Sequence, residues 1–232
     1  MVELHSGHAE FIAAKALFDS TWQAAINQDG KKHPIGAIRT IFAIESPQLF
    51  ARYDAYKASL GVPANEAHVF HGTVIKCNIM ASKSLCSTQG CGACGISQTG
   101  FRIDLAGSKI SFKRFGDGAY FAPHASKWYV VLCMLSSPTI LTNPLVFCSH
   151  DYTIGAPGTD VRAILLCSVA KGREHLTSQD MPHLKAAPPG CHSVMGTAGG
   201  TLNFPELVVY RGDAALPRYI IVYNKDGIGK LA

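Results

Sequence analysis

Four of the chain's eight cysteines, Cys77, Cys86, Cys91 and Cys94, crowd into one stretch, while Cys133, Cys148, Cys167 and Cys191 are scattered. Cys91-Gly92-Ala93-Cys94 is a C-x2-C unit with glycine at its turn. Thiolates are soft donors, and four of them complete the tetrahedral shell of a structural zinc ion. A small insert with no core of its own gains most from such a clip, because metal-binding energy becomes folding energy. The spacing is less regular than the paired C-x2-C knuckles of a zinc ribbon. Reduced free thiols, one disulfide, and a three-ligand site without Cys77 therefore stand beside four-thiolate zinc. In either metal reading the ion is structural and not a Lewis acid.

Three further stretches carry polar residues at the ends of apolar runs. His71-Gly72-Thr73 follows the strand-like His68-Val69-Phe70. Phe115-Gly116-Asp117-Gly118-Ala119-Tyr120-Phe121-Ala122 leads into His124-Ala125-Ser126-Lys127. Pro205-Glu206-Leu207-Val208-Val209-Tyr210-Arg211 precedes Leu216-Pro217-Arg218-Tyr219-Ile220-Ile221. Taken singly, His71 reads as a strand-end residue, Tyr120 as core and Glu206 as a solvated strand start.

The elements that must position these residues are legible in the pattern. Phe11, Ala14, Phe18 and Trp22 fall at helical spacing and make one apolar face, which Gln28-Asp29-Gly30 and Lys31-Lys32-His33-Pro34 interrupt. Residues 37–44, rich in Ile and Phe, read as a strand. Ser46-Pro47 supplies an N-cap and first-turn proline, and Gly61 closes a helix whose Leu49, Tyr53, Tyr56 and Leu60 share a face. Strands follow at residues 68–70, 118–122, 161–169, 207–210 and 218–223. A hairpin-length connection, residues 211–217, separates the last two. Helices gather toward the N-terminal half and strands toward the C-terminal half, which predicts an α+β fold rather than a regular βαβ alternation.

The three polar stretches, in this order, resemble the catalytic domain of the poly(ADP-ribose) polymerases, and the resemblance runs over about residues 36–223. Residues 41–57 resemble the family's opening strand and helix, Leu165-Leu166-Cys167-Ser168-Val169-Ala170 its central strand, and His192-Ser193-Val194-Met195-Gly196 a loop before the last strands. The resemblance implies an ADP-ribosyltransferase fold of two packed, mostly antiparallel sheets with flanking helices and a split NAD-binding cleft. It divides the chain into a helical extension, residues 1–35, and a catalytic domain, residues 36–232, with the cysteine-rich insert at 77–94 ahead of a helix expected near Gly95. A cluster of this sort is similar to those of fungal members.

The resemblance also implies chemistry. Breaking the bond between nicotinamide and ribose builds oxocarbenium-like charge on the sugar, which an enzyme must orient and offset. On the family's pattern His71 hydrogen-bonds an adenosine-ribose hydroxyl, and the backbone of Gly72 binds the nicotinamide carboxamide beside Thr73. Tyr120 stacks on the nicotinamide ring, and Glu206 binds the nicotinamide-ribose 2′-hydroxyl and stabilises the developing cation. Ser126 and Tyr129 belong to the same donor pocket. Two positions depart from the pattern: Trp128 stands where a carboxamide-binding serine is common, and Val131 where a second stacking tyrosine is expected, so Tyr129 is the aromatic left to fill that role. Lys109, Lys113 and Arg114 face either the donor pyrophosphate or solvent. Glu206 permits chain elongation as well as single-unit transfer. No autoinhibitory helical domain precedes the match, so activation by DNA breaks is not expected of this chain.

The expected donor is therefore NAD⁺ and the expected partners are protein acceptors, this chain included. A binding module that recognises NAD⁺ or ADP-ribose without turnover is the rival reading, supported by Trp128 and Val131. Transfer to nucleic-acid ends is disfavoured: the charge is only +5, and no run of about five or six Lys or Arg marks a phosphate-tracking stripe. At 47% hydrophobic and 16% charged residues the chain has ample material for a core. It lacks the run of about 18 apolar residues that spans a membrane. Met1-Val2-Glu3-Leu4-His5 lacks the basic-then-apolar layout of a secretory signal, which leads to an intracellular expectation, nucleus or cytoplasm.

Overall fold

The computed structural model describes residues 1–22, 37–105, 113–125, 153, 155, 159, 161–198, 202 and 204–224. Strand β1 (Val2–Glu3) and helix α1 (Ala9–Thr21) are followed by β2 (Ala37–Ala43), α2 (Pro47–Ser59) and β3 (Glu66–Gly72). Next come the short α3 (Ile79–Ser82), α4 (Gly92–Thr99) and β4 (Ala119–Phe121). Strands β5 (Val161–Ala170), β6 (Glu174–Thr177), β7 (Ser193–Gly196), β8 (Glu206–Val209) and β9 (Ala215–Asn224) complete the order. They form a five-stranded antiparallel sheet, β1-β2-β9-β5-β3, and a four-stranded sheet, β4-β8-β7-β6, in which β6 and β7 alone run parallel. The α+β expectation, with two mostly antiparallel sheets and a few flanking helices, holds.

The larger sheet is buried on both faces, which is why its central strands read as unbroken apolar runs. From β5 and β9, Ile164, Leu166, Ile221 and Tyr223 turn to one side and pack with Phe18 and Trp22 of the α1 segment. Leu165, Cys167, Ile220 and Val222 turn to the other, against Leu49, Tyr53 and Tyr56 of α2 and Ala93 and Cys94 of α4. Helices α1 and α2 are built as their sequences predict. Ala14 and Phe18 are buried on α1, and the Ser46 side chain caps α2 by accepting from Leu49 N–H.

Several expectations are corrected. Residues 193–196 are the strand β7, paired with β8 and β6, and not a loop. The connection at residues 211–217 is no hairpin: β8 belongs to the small sheet and β9 to the large one, joined through a 3-10 turn at Gly212–Ala214. Strand β9 starts at Ala215 and runs through Pro217, where its pairing with β5 shifts register between Leu166 and Cys167. Its pairs with β2 end at Tyr219, so the missing proline N–H removes nothing from that ladder. Helix α4 begins at Gly92 rather than near Gly95, and so takes Cys94 into its first turn.

The two sheets touch at one point beside the candidate residues. Phe70 of β3 and Ala122, just after β4, exchange backbone hydrogen bonds of 2.8 and 2.9 Å as an isolated bridge.

Candidate functional site

His71, one residue past that bridge, leans across the junction. Its Nδ1 lies 2.9 Å from the Tyr120 carbonyl. A carbonyl only accepts, so Nδ1 carries the proton and Nε2 of the neutral ring is an acceptor. Phe101 packs edge-on against the imidazole, with centroids 5.1 Å apart, and Phe121 flanks it at 5.6 Å. Burial lowers the His71 pKa, and the Tyr120 carbonyl offsets this only in part. The ring therefore stays neutral at ordinary pH.

Tyr120 and Glu206 share a face of the small sheet. Tyr120 pairs with Val208, and Glu206 lies two residues before Val208 on the same strand, so all three side chains project to one side. The opposite side carries Phe121 and Leu207 into the main core. Glu206 opens β8 across from Gly196 and is half-buried. The Tyr120 hydroxyl, at 2.9 Å from each partner, accepts from Phe115 N–H and donates to the Gly116 carbonyl. Phe115 is gripped from its other side by Tyr210, whose hydroxyl donates to the Phe115 carbonyl at 2.7 Å. The turn at residues 115–118 is thus fastened to both β4 and the end of β8.

A second loop backs this turn. Asp117 N–H donates to Leu184 O at 2.8 Å, and Arg114 pairs with Asp180 at 3.0 Å. Gly116 has φ +72, and a Cβ there would overlap the Leu184 carbonyl, so both the backbone conformation and the close approach require glycine. Lys113 pairs with Asp117, so Lys113 and Arg114 both hold carboxylates of this region. Ser126, Trp128, Tyr129, Val131 and Lys109 lie outside the described residues.

The four cysteines of the insert converge. The sulfurs of Cys77, Cys86, Cys91 and Cys94 all lie within 4.8 Å of one another. Cys77 Sγ is 3.6 Å from Cys94 Sγ and 3.9 Å from Cys91 Sγ. Sulfurs at Zn–S bonds of about 2.3 Å in a tetrahedron sit about 3.8 Å apart, so the set could hold a metal ion. All four are free thiols, with no disulfide among them. Cys91 and Cys94 are buried, Cys77 and Cys86 half-buried. Burial pushes Cys77 up to about 12 and Cys94 upward as well. At Cys86 burial also opposes ionisation, but hydrogen bonds from Thr88, Cys77 and Cys91 outweigh it and bring the thiol down to about 6. A divalent cation would supply the positive charge that four adjacent thiolates need.

One feature gave no sequence signal, because three separated segments build it. A cavity of about 440 Å³ lies between α2, residues 100–104 and residues 210–215. Arg52, Arg102 and Arg211 line it, against the carboxylates of Asp104 and Asp213. Arg102 pairs with Asp104, and Arg211 with Asp213 at 2.7 Å. Phe101 forms part of its wall and also touches His71. Three guanidiniums to two carboxylates favour an anionic ligand on this side.

Among the described residues no helix is long and apolar enough to cross a membrane. In comparison with known proteins, a family model described as the poly(ADP-ribose) polymerase catalytic domain matches residues 17–225.

Proposed function

The chain belongs to the poly(ADP-ribose) polymerase catalytic-domain family, and we propose that it is an active NAD⁺ ADP-ribosyltransferase that modifies protein acceptors, itself included. The observation that carries this reading is the juxtaposition at the sheet junction. Tyr120 and Glu206 project from one face of the small sheet, and the His71 ring is held by the Tyr120 carbonyl across the split.

In this reading NAD⁺ is a substrate. His71 Nε2 accepts from an adenosine-ribose hydroxyl, the Gly72 backbone and Thr73 hold the carboxamide end, and Tyr120 stacks on the nicotinamide. Ser126 and Tyr129 complete the donor pocket. The bond from ribose C1′ to the nicotinamide nitrogen breaks, its electron pair leaves with neutral nicotinamide, and positive charge spreads over C1′ and the ring oxygen. Glu206 holds the 2′-hydroxyl and lies against that charge, a stabilisation strongest when the charge is greatest. An acceptor side-chain nucleophile then bonds to C1′ and loses its proton to solvent, which leaves ADP-ribose on the protein. The clamp on Phe115 supports the reading, because it fixes the backbone on which Tyr120 depends. Structural zinc on Cys77, Cys86, Cys91 and Cys94 belongs to the same reading, and no reaction step passes through it. Reduced thiols and free NAD⁺ both suit an intracellular setting, nucleus or cytoplasm.

Two substitutions test the roles. With nicotinamide release as the measure of turnover, Glu206→Gln lowers kcat by about 10²–10³ and leaves affinity for carba-NAD⁺, whose glycosidic bond is inert, near that of the parent. His71→Ala loses affinity first. Folded parent protein that binds carba-NAD⁺ and releases no nicotinamide from NAD⁺ would leave the binding-module reading in its place.

A further inference from the structure

The cysteine cluster is built into the backbone that leaves His71. Ala93 N–H donates to the Val74 carbonyl at 3.1 Å, and Lys76 N–H donates to Cys91 Sγ at 3.4 Å. Gly92 lies against Thr73 so closely that a Cβ would overlap Oγ1. Cys77 follows Lys76 directly, Cys91 is the N-cap of α4 and Cys94 sits in its first turn. One sulfur therefore comes from the exit of the His71-Gly72-Thr73 segment and two from the start of the helix packed on it. Cys86 comes from the loop between.

Helix α4 has little of its own to hold it. It is 8 residues long, contains Gly92 and Gly95, and its N-cap side chain makes no capping hydrogen bond. Helices this short are marginal in isolation, and each interior glycine costs about 1 kcal/mol relative to alanine. Its anchors include the burial of Ala93, Cys94 and Ser97, the Ala93 N–H bond to Val74 and the Arg52 guanidinium on the Thr99 carbonyl. At its first turn the remaining anchor is the sulfur cluster. Cross-linking those sulfurs to Cys77 fixes the position of α4 against Thr73, and hence the path of the backbone after His71.

We infer that a zinc ion on the four thiolates is a positioning device for the donor site: it seats α4 against Thr73, and NAD⁺ affinity depends on it although the ion touches neither donor nor acceptor. This rests on the transferase reading of His71-Gly72-Thr73 and on the zinc reading of the cluster. Metal loss then weakens donor binding while the five-stranded sheet persists, since its β2, β5 and β9 core packs without the insert on the α1 side.

The test uses the full chain under reducing conditions, with carba-NAD⁺ as probe. Elemental analysis should find one zinc per chain. Stripping it with a chelator should weaken carba-NAD⁺ binding about tenfold or more, given what small misplacements cost, and added Zn²⁺ should restore it. Hydrogen exchange should quicken at the Lys76 and Ala93 amides and stay slow along β5. Gly92→Ala offers an independent route, because it displaces α4 from Thr73 without removing a ligand: zinc is retained and affinity falls. Protein that neither contains nor takes up zinc overturns both the zinc reading and the inference. Zinc-loaded and stripped protein of equal affinity overturns the inference alone. Loss of protection along β5 on stripping also overturns it, because the ion then holds the whole fold. Zinc-loaded protein that does not bind carba-NAD⁺ overturns the donor-site reading and the inference with it.

Discussion

Tyr120→Phe isolates one atom with two partners. The substitution keeps the aromatic ring but removes the hydroxyl that accepts from Phe115 N–H and donates to the Gly116 carbonyl, each at 2.9 Å. Phe115 is fully buried, so its N–H has no easy recourse to water. A net hydrogen bond contributes about 1 kcal/mol, and an orphaned buried group costs about 1–3 kcal/mol. Together these put the loss at about 2–4 kcal/mol. For a domain of this size each kcal/mol lowers Tm by about 2–4 °C, so the melting point should fall by roughly 4–16 °C. Urea unfolding should show the midpoint moving with little change in slope. Tyr210→Phe removes only the bond to the Phe115 carbonyl and should cost about half as much. Because both hydroxyls hold the same residue, the double variant should depart from additivity by about 0.5 kcal/mol or more. Carba-NAD⁺ affinity should fall less in Tyr120→Phe than in Tyr120→Ala, which also loses the stacking face. A Tyr120→Phe protein within about 0.5 kcal/mol of the parent, or a strictly additive double variant, would refute the clamp.

Three further outcomes follow from the packing and the site. His71 binds its proton less readily when folded than its ordinary value of 6.5 implies. The stability it contributes is therefore present above about pH 6.5 and is lost as pH falls through that value toward the lower folded pKa. Carba-NAD⁺ binding should hold through about pH 6.5 and weaken only as pH falls through the lower folded value, since a protonated Nε2 cannot accept; binding that already weakens above about pH 6.5 would contradict the assignment. Gly116→Ala combines a positive φ with overlap on the Leu184 carbonyl and should cost about 2–4 kcal/mol, read by urea unfolding; a neutral result would mean the 181–184 backing is unimportant. Phe18→Ala empties a site that touches Trp22, Phe70 and Tyr223 and should destabilise the sheet by about 3–5 kcal/mol. A loss under about 1 kcal/mol would show α1 to be a loosely attached extension.

Local signals carried much of the fold. The helical spacing of Phe11, Ala14, Phe18 and Trp22, the Ser46-Pro47 start of α2 and the apolar runs of β5 and β9 are each decided by neighbours in sequence. What stayed hidden depends on distant partners. Residues 211–217 have the length of a hairpin, and only the separate pairing of β8 with β4 and β7 turns them into a passage between sheets. Pro217 stops a strand on paper, but the ladder with β2 has already ended at Tyr219, and β9 continues beside β5 through a register shift. Residues 193–196 make a strand because Val194 fills the small core with Phe115 and Val208. Among the candidate residues, the sulfur set was legible as a set, although Cys94 enters the helix it was expected to precede. Stacking by Tyr120 was implied by the family resemblance, since taken alone the residue read as core. Its hydroxyl's grip on a turn four and five residues upstream was not, since those partners are backbone atoms in an irregular segment. Phe101 and the guanidiniums of Arg52, Arg102 and Arg211 gave no motif at all.

The central claim, transfer of ADP-ribose through Glu206, is tested most directly by intact-mass spectrometry of the protein incubated with NAD⁺, beside Glu206→Gln treated in the same way. The account predicts mass added in whole ADP-ribose steps to the parent and none to the variant. Parent protein that is folded, binds NAD⁺ and gains no mass while releasing no nicotinamide would contradict it.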